Sequence, residues 1–432
     1  MNAIGLFILA SLILEFGLRI LSEVLNLRSS QAELPETFKG CYDEGRYQRS
    51  QEYLGARTRF GWCSASTFLA VTIALWLGGG FGFLDDRLRS WHLHPILTGM
   101  LYIGTLALLR VALTLPFGVY ATFVIEKRFG FNTTGWKTFV ADRIKTALLA
   151  VFLMGPLLAM ILGIFEYINR FSWLYCWVGV SAFIFCINFI APRWILPLFN
   201  TYSPLPKDDL CSAILSYARS IDFPLENVFV MDGSRRSTKS NAFFTGFGRN
   251  RRAVLFDTLV AAHTLPELIA ILAHEMAHYK KHHVLWSLAA GILHTGFLLF
   301  LLSICVSSRP LFEAFFMKQT SVYGGMVILA VLSLPLDLLL GCLLNALSRR
   351  HEREADRFAV ATTGGGRVLA DALKKLSVHN LANLTPHPLY VLLNYSHPPL
   401  LERIQAIEKL DSIIRASGSA PPGSGNSCFQ RT

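Results

Sequence analysis

Charge is what this chain lacks. Asp, Glu, Lys and Arg make up 16% of its 432 residues, against roughly 25% in an average soluble protein. Hydrophobic residues reach 53%, with 32 Phe and 8 Trp. Soluble cores cannot hide that much apolar surface, which excludes a disordered chain and an ordinary cytosolic enzyme. The eight Cys contain no C-x-x-C pair, so neither a disulfide framework nor a thiolate metal site is indicated. Cys63, Cys176, Cys186, Cys305 and Cys342 lie in or beside apolar runs and read as small packing residues. No internal repeat is visible. The N-terminus shows neither the basic start nor the small-residue cleavage site of a secretory signal. What remains is an all-α polytopic membrane protein.

The net charge of +11 does not form one stripe. Basic residues flank the apolar runs (Arg46, Arg49, Arg57, Arg59; Arg235, Arg236, Lys239; Arg249, Arg251, Arg252), as expected beside anionic lipid headgroups. No nucleic-acid motif accompanies them, so the bilayer is the expected partner and nucleic acid is not. A bilayer core about 30 Å thick needs ~20 apolar residues of helix. Charge is absent from Gly61–Leu84, Thr146–Phe165, Phe171–Pro192 and Val284–Ser308. Leu93–Ile125 is broken only by Arg110, and Gln319–Ser348 contains only Asp337. Ala3–Leu25 carries Glu15, Arg19 and Glu23 and makes the weakest of seven expected spans.

The expected organisation is five spans in 1–199, a water-facing region in 200–283, two spans in 284–348, the rest of the water-facing region in 349–412, and a disordered tail, rich in Gly, Ser and Pro, in 413–432. Cys428 stands one residue too far from the end for the tail to be a prenylation signal. Within 200–283, Ser203-Pro-Leu-Pro206 reads as a turn and Leu210–Ile221 as a helix. Asn227–Met231 and Ala253–Phe256 read as a small β element, and Pro266–Lys281 as a helix capped by Thr264.

That last helix contains His274-Glu-Met-Ala-His278, an H-E-x-x-H. Two His four residues apart share a helix face and reach one ion, while Glu275 points toward where an attacking water would sit. A catalytic zinc takes three protein ligands and keeps one open position. Ser348-Arg-Arg-His-Glu-Arg-Glu-Ala-Asp356 offers Glu352 and Glu354. Glu352 and Asp356 are spaced i,i+4 on one face, with Glu354 nearly opposite, so Glu352 is the better third ligand. Asp356 then supports a ligand imidazole from behind.

These motifs carry a family resemblance. The chain resembles the type I CAAX prenyl proteases, integral-membrane zinc metalloproteases of the gluzincin kind, from Thr37 to Ile404. Thr122-Phe-Val-Ile-Glu-Lys-Arg-Phe-Gly-Phe-Asn132, Arg236-Ser-Thr-Lys-Ser-Asn-Ala-Phe-Phe244, Val254-Leu-Phe-Asp-Thr-Leu259 and Tyr395-Ser-His-Pro-Pro-Leu-Leu-Glu-Arg403 are similar to family motifs. The resemblance implies one zinc on His274, His278 and Glu352, with Glu275 as catalytic base. It also implies that Asn241 and His397 contact the substrate backbone or tetrahedral intermediate, with Arg403 a charged residue close by. The implied substrates are farnesylated or geranylgeranylated protein C-termini, and the implied address is the endoplasmic reticulum membrane. The chain departs from the family after the second His, with Tyr279-Lys-Lys-His-His283. His282 and His283 read as lying off the ligand face at the membrane boundary. His294, Arg110 and Asp337 lie inside apolar runs, where ionisable groups face a cavity or a partner.

Two other readings compete. A membrane quality-control zinc protease would use the same residues without needing a lipid. A seven-span transporter or receptor would treat both zinc motifs as accidents.

Overall fold

The computed structural model describes residues 2–30, 33–168, 170–245 and 251–416. Its first half is helical: α1 (Ala3–Ser29), α2 (Glu44–Leu77), the short α3 (Gly80–Arg89), α4 (Pro95–Tyr120), α5 (Trp136–Tyr167) and α6 (Ser172–Ile190). Single π-helical stretches, Ala121–Glu126 and Ala191–Ile195, prolong α4 and α6. A mixed unit follows, made of β1 (Tyr202–Pro204), α7 (Asp209–Ser220), β2 (Leu225–Met231), β3 (Ala242–Thr245), β4 (Arg251–Phe256), α8 (Asp257–Ala262) and α9 (Leu265–Lys280). Then come α10 (His283–Ser307), the short α11 (Arg309–Ala314) and α12 (Val322–Thr363). Finally α13 (Gly366–Asn380), α14 (Pro388–Asn394) and α15 (Leu400–Ala416) return to the mixed unit.

Seven of these helices (α1, α2, α4, α5, α6, α10 and α12) are long and apolar enough to cross a membrane, the number expected. Three boundaries differ from the sequence reading. The run from Gly61 to Leu84 is not one helix, because Gly79 adopts φ +70° and turns the chain between α2 and α3. The division at 348/349 falls inside α12, which runs on until Gly364 caps it at φ +82°. Residues 413–416, assigned to the tail, are the last turn of α15; the rest of the expected tail lies outside the described residues.

The sheet has the order β1-β2-β4-β3, with β2 and β4 parallel and both outer strands antiparallel to their neighbours. The expected turn at Ser203-Pro204 is therefore an edge strand, where Pro loses no ladder bond. β3 was not anticipated. Leu255, Leu259, Leu268, Leu272, Met276 and Ile214 pack α7 and α9 onto the sheet. Truncating a residue as enclosed as Met276 to Ala costs about 2–5 kcal/mol.

α9 is thereby fixed on one face. On the other it meets α12, α13 and α15 in a second core, through Ala270, Ala273, Ala359, Leu369, Ile404 and Ile407. Alanines at this contact let the helices approach closely. Among the spans, Trp76 donates to Ala314 O (2.8 Å) and stacks on Phe315. Trp177 donates to Ile292 O (2.8 Å), joining α6 to α10.

Candidate metal centre

Four elements build the site. α9 carries His274, Glu275 and His278, and its start is set by a capping box in which Thr264 N–H donates to Glu267 (2.7 Å). The post-membrane part of α12 carries Glu352 and Asp356, one turn apart. The segment before α15 brings His397, and α15 itself brings Arg403.

The three expected ligands converge. One nitrogen from each of His274 and His278 and one Glu352 oxygen lie within 4.8 Å of one another. His274 Nε2 is 3.2 Å from His278 Nε2 and 3.3 Å from Glu352 Oε2; His278 Nε2 is 3.3 Å from Glu352 Oε1. His274 Nδ1 stands 2.9 Å from Asp356 Oδ1. A carboxylate only accepts, so the proton belongs on Nδ1, and the Nε2 lone pair faces the centre. Burial disfavours the charged form of His274, yet Asp356 and Glu352 outweigh it and push its pKa up to about 9 without an ion, so a metal takes the Nε2 lone pair by displacing a proton.

Glu352 is 3% exposed. Its Oε2 lies 2.8 Å from His397 Nδ1 but has no aligned hydrogen bond. A buried carboxylate oxygen in that condition is costly unless something satisfies it. Two imidazole lone pairs and this oxygen, facing one point, form a donor set that fits a divalent ion of the nitrogen- and oxygen-binding kind.

The remaining expected residues divide. Arg403 forks onto Asp356, Nε to Oδ2 at 2.9 Å and Nη2 to Oδ1 at 2.7 Å. Glu275 stands beside the ligands, and burial raises its pKa, against the pull of His274 and His278. Asn241 precedes β3, where its Oδ1 accepts from Ala242 N–H (2.9 Å).

His283 stays out of the ligand set, as its expected place off the ligand face requires, but the structure brings it against a ligand, a contact that sequence reasoning missed. His283 Nδ1 is 3.2 Å from His278 Nδ1, and its Nε2 is 3.3 Å from Glu354 Oε2. Its ring stacks on His351, with centroids 4.1 Å apart. Helical spacing from His278 does not predict this contact, because α9 ends and His282, at φ +59°, reverses the chain into α10. The signal available was the polar Lys280-Lys-His-His run, which ends one helix and starts another. Of the intramembrane groups, His294 Nε2 pairs with Asp337 Oδ1 across α10 and α12 (3.1 Å). Arg110 lines a cavity with Glu15 and Arg19.

A seven-span helical bundle that holds an H-E-x-x-H helix against a glutamate on a second helix is a membrane metalloprotease. Residues 23–201 match the model of the CAAX prenyl protease N-terminal region, five membrane helices, and residues 204–411 match peptidase family M48. The CAAX prenyl protease 1 homolog of Arabidopsis thaliana is 35% identical over 88% of this chain and 91% of its own. CAAX prenyl protease 1 of Saccharomyces cerevisiae is 31% identical over 88% of this chain and 89% of its own. The crystal structure of S. mikatae Ste24p superposes with a TM-score of 0.89 at 29% identity, covering 94% of this chain and 100% of that one. The chain belongs to the CAAX prenyl protease 1 family of M48 peptidases, which sets the transporter or receptor reading aside.

Proposed function

We propose that the protein is a zinc endopeptidase that removes the last three residues of proteins bearing a farnesylated or geranylgeranylated Cys, cutting just after that Cys. The observation that carries this reading is the convergence of His274, His278 and Glu352 in a chain whose relatives bear the name CAAX prenyl protease 1. Zinc bound there would supply a Lewis acid for the attacking water and the scissile carbonyl. Glu275 takes the water's proton and returns it to the leaving amine; a pKa raised by burial suits a group that must do both. His397, with its side chain 64% exposed, donates to the carbonyl oxygen as charge develops. Asn241 bonds the substrate backbone. Arg403 orients Asp356, which holds the His274 tautomer. The site of action is the endoplasmic reticulum membrane, as the family resemblance implies.

Each buried CH₂ of a lipid contributes ~0.8 kcal/mol, so a prenyl chain supplies enough binding to orient a scissile bond. The test is a matched pair of C-terminal peptides, farnesylated and not, with cut sites mapped by mass spectrometry. The farnesylated peptide should be cut after its Cys and far faster, even when the unlipidated peptide is saturating. Equal cleavage of both, scattered along the chain, would overturn this reading in favour of quality-control proteolysis.

A further inference from the structure

A polar cavity of about 440 Å³, with Tyr395 of the His397 segment in its wall, has no task in the chemistry above. Arg57 and Lys239 bring cations to it, Asn380, Asn383 and Tyr395 line much of the rest, and Glu23 is the one carboxylate among its lining residues.

The two cations are held differently. Lys239 Nζ is bonded to Glu126 Oε2 (3.0 Å) and Tyr53 Oη (2.8 Å), and lies over the Phe131 ring. Its charge is therefore already matched. Arg57 makes only a 3.4 Å contact with the same phenol and stands over its ring. Among the described residues it has no carboxylate partner, and Glu23 pairs with neither cation. A guanidinium without a carboxylate, in a pocket with amide and phenol groups, fits a planar anion.

The cavity's position says which anion. Tyr395 in its wall is two residues before His397, a span of at most about 7 Å of chain, and His397 touches Glu352 at 2.8 Å. Lys239 is two residues before Asn241, after which β3 begins, the outermost strand of the sheet among the described residues. A peptide added antiparallel to β3, the sense β3 takes to β4, runs its C-terminus toward Lys239. Three extended residues reach ~10 Å, the separation that a cut three residues from the end requires between the bond at the metal cluster and a carboxylate held in this cavity.

Resting on the proposed function, we infer that the cavity binds the α-carboxylate of the substrate's C-terminus, with Arg57 as its cation. Lys239, turned by Glu126 and Tyr53, adds a positive edge, and the amides of Asn380 and Asn383 are further donors. The lipid on one side of the scissile bond and the carboxylate on the other then fix the cut three residues from the end.

The test uses the full-length protein and two farnesylated peptides of one sequence, ending in a free acid or in an amide. Wild-type kcat/KM should be ~10- to 100-fold lower for the amide, the size of a lost charge-assisted hydrogen bond. In Arg57→Gln the acid peptide should fall by a similar factor while the amide peptide stays unchanged, so that the preference disappears. Arg57→Lys should restore part of it. Metal content and thermal stability of both variants show whether the fold and the metal cluster survive. Equal rates for acid and amide in the wild type would overturn the inference without any variant, as would a preference that persists in Arg57→Gln. Failure of the farnesylated free-acid peptide to be cut after the prenylated Cys would instead count against the proposed function.

Discussion

The two histidines of the motif sit in unlike surroundings. His274 faces the α12–α15 side, where Asp356 holds its Nδ1 and Arg403 in turn clamps Asp356 with two bonds. His278 faces the membrane side, where its Nδ1 meets a neutral imidazole, His283, and the nearest carboxylate is Glu354 beyond it. The side chain of His274 is 9% exposed and that of His278 20%. An anionic partner raises the basicity of a ligand imidazole more than a neutral one does. One half of the cluster is thus stiff, dry and strongly polarised. The other is wetter and held through a relay. The difference teaches that a symmetric sequence motif can receive unequal support from the fold.

The comparison is sharpened first by removing what both halves share. His274→Ala, His278→Ala and Glu352→Ala should each abolish tight metal binding, read as metal per chain after dialysis, since a three-ligand site keeps little affinity on two. Glu275→Gln should keep the metal and lose turnover by orders of magnitude. Substantial activity in that variant would mean that another residue takes the proton. The stiff half is then tested by Asp356→Ala. Metal affinity should fall ~10–100-fold without vanishing, the usual size of an outer hydrogen-bond effect. A loss as complete as that of His278→Ala would make Asp356 a direct ligand.

Much of this was legible in the sequence, for identifiable reasons. Charge-free runs register directly as spans because lipid forbids unpaired backbone and unpaired charge. His274, His278, Glu352 and Asp356 were legible because the i,i+4 rule needs only helices, and both helices formed. Contacts made by chain reversal were not. His283 reaches the cluster through the left-handed turn at His282, which no periodicity reports. β3, four residues long, was hidden because Ala-Phe-Phe-Thr has no contrast of polar and apolar faces. The end of the second span at Gly78-Gly79 looked like one more part of an apolar run, and only the backbone angle distinguishes it. The continuity of α12 past Ser348 was masked by the change from apolar to charged residues, although nothing there interrupts a helix.

The smallest expected effect belongs to the relay. With a metal on His278 Nε2, the proton on Nδ1 is donated to His283 Nδ1, and His283 Nε2–H is donated to Glu354. His283→Gln keeps a side chain that can accept the first bond, but it breaks the second and loses the stack on His351. Because the partner being lost is neutral, metal affinity should fall by about tenfold or less, the lower end of outer-shell effects. Glu354→Gln should do less still, since Glu354 is partly exposed and also shared with Arg350 at 3.1 Å, where water competes for both charges. Competition with a chelator, run beside Asp356→Ala on protein of equal thermal stability, measures all three. The order Asp356→Ala, His283→Gln, Glu354→Gln follows from the charge and burial of each partner. If His283→Gln equals Asp356→Ala, the two halves are equally supported, and the relay carries the negative charge of Glu354 to His278 as effectively as a direct carboxylate.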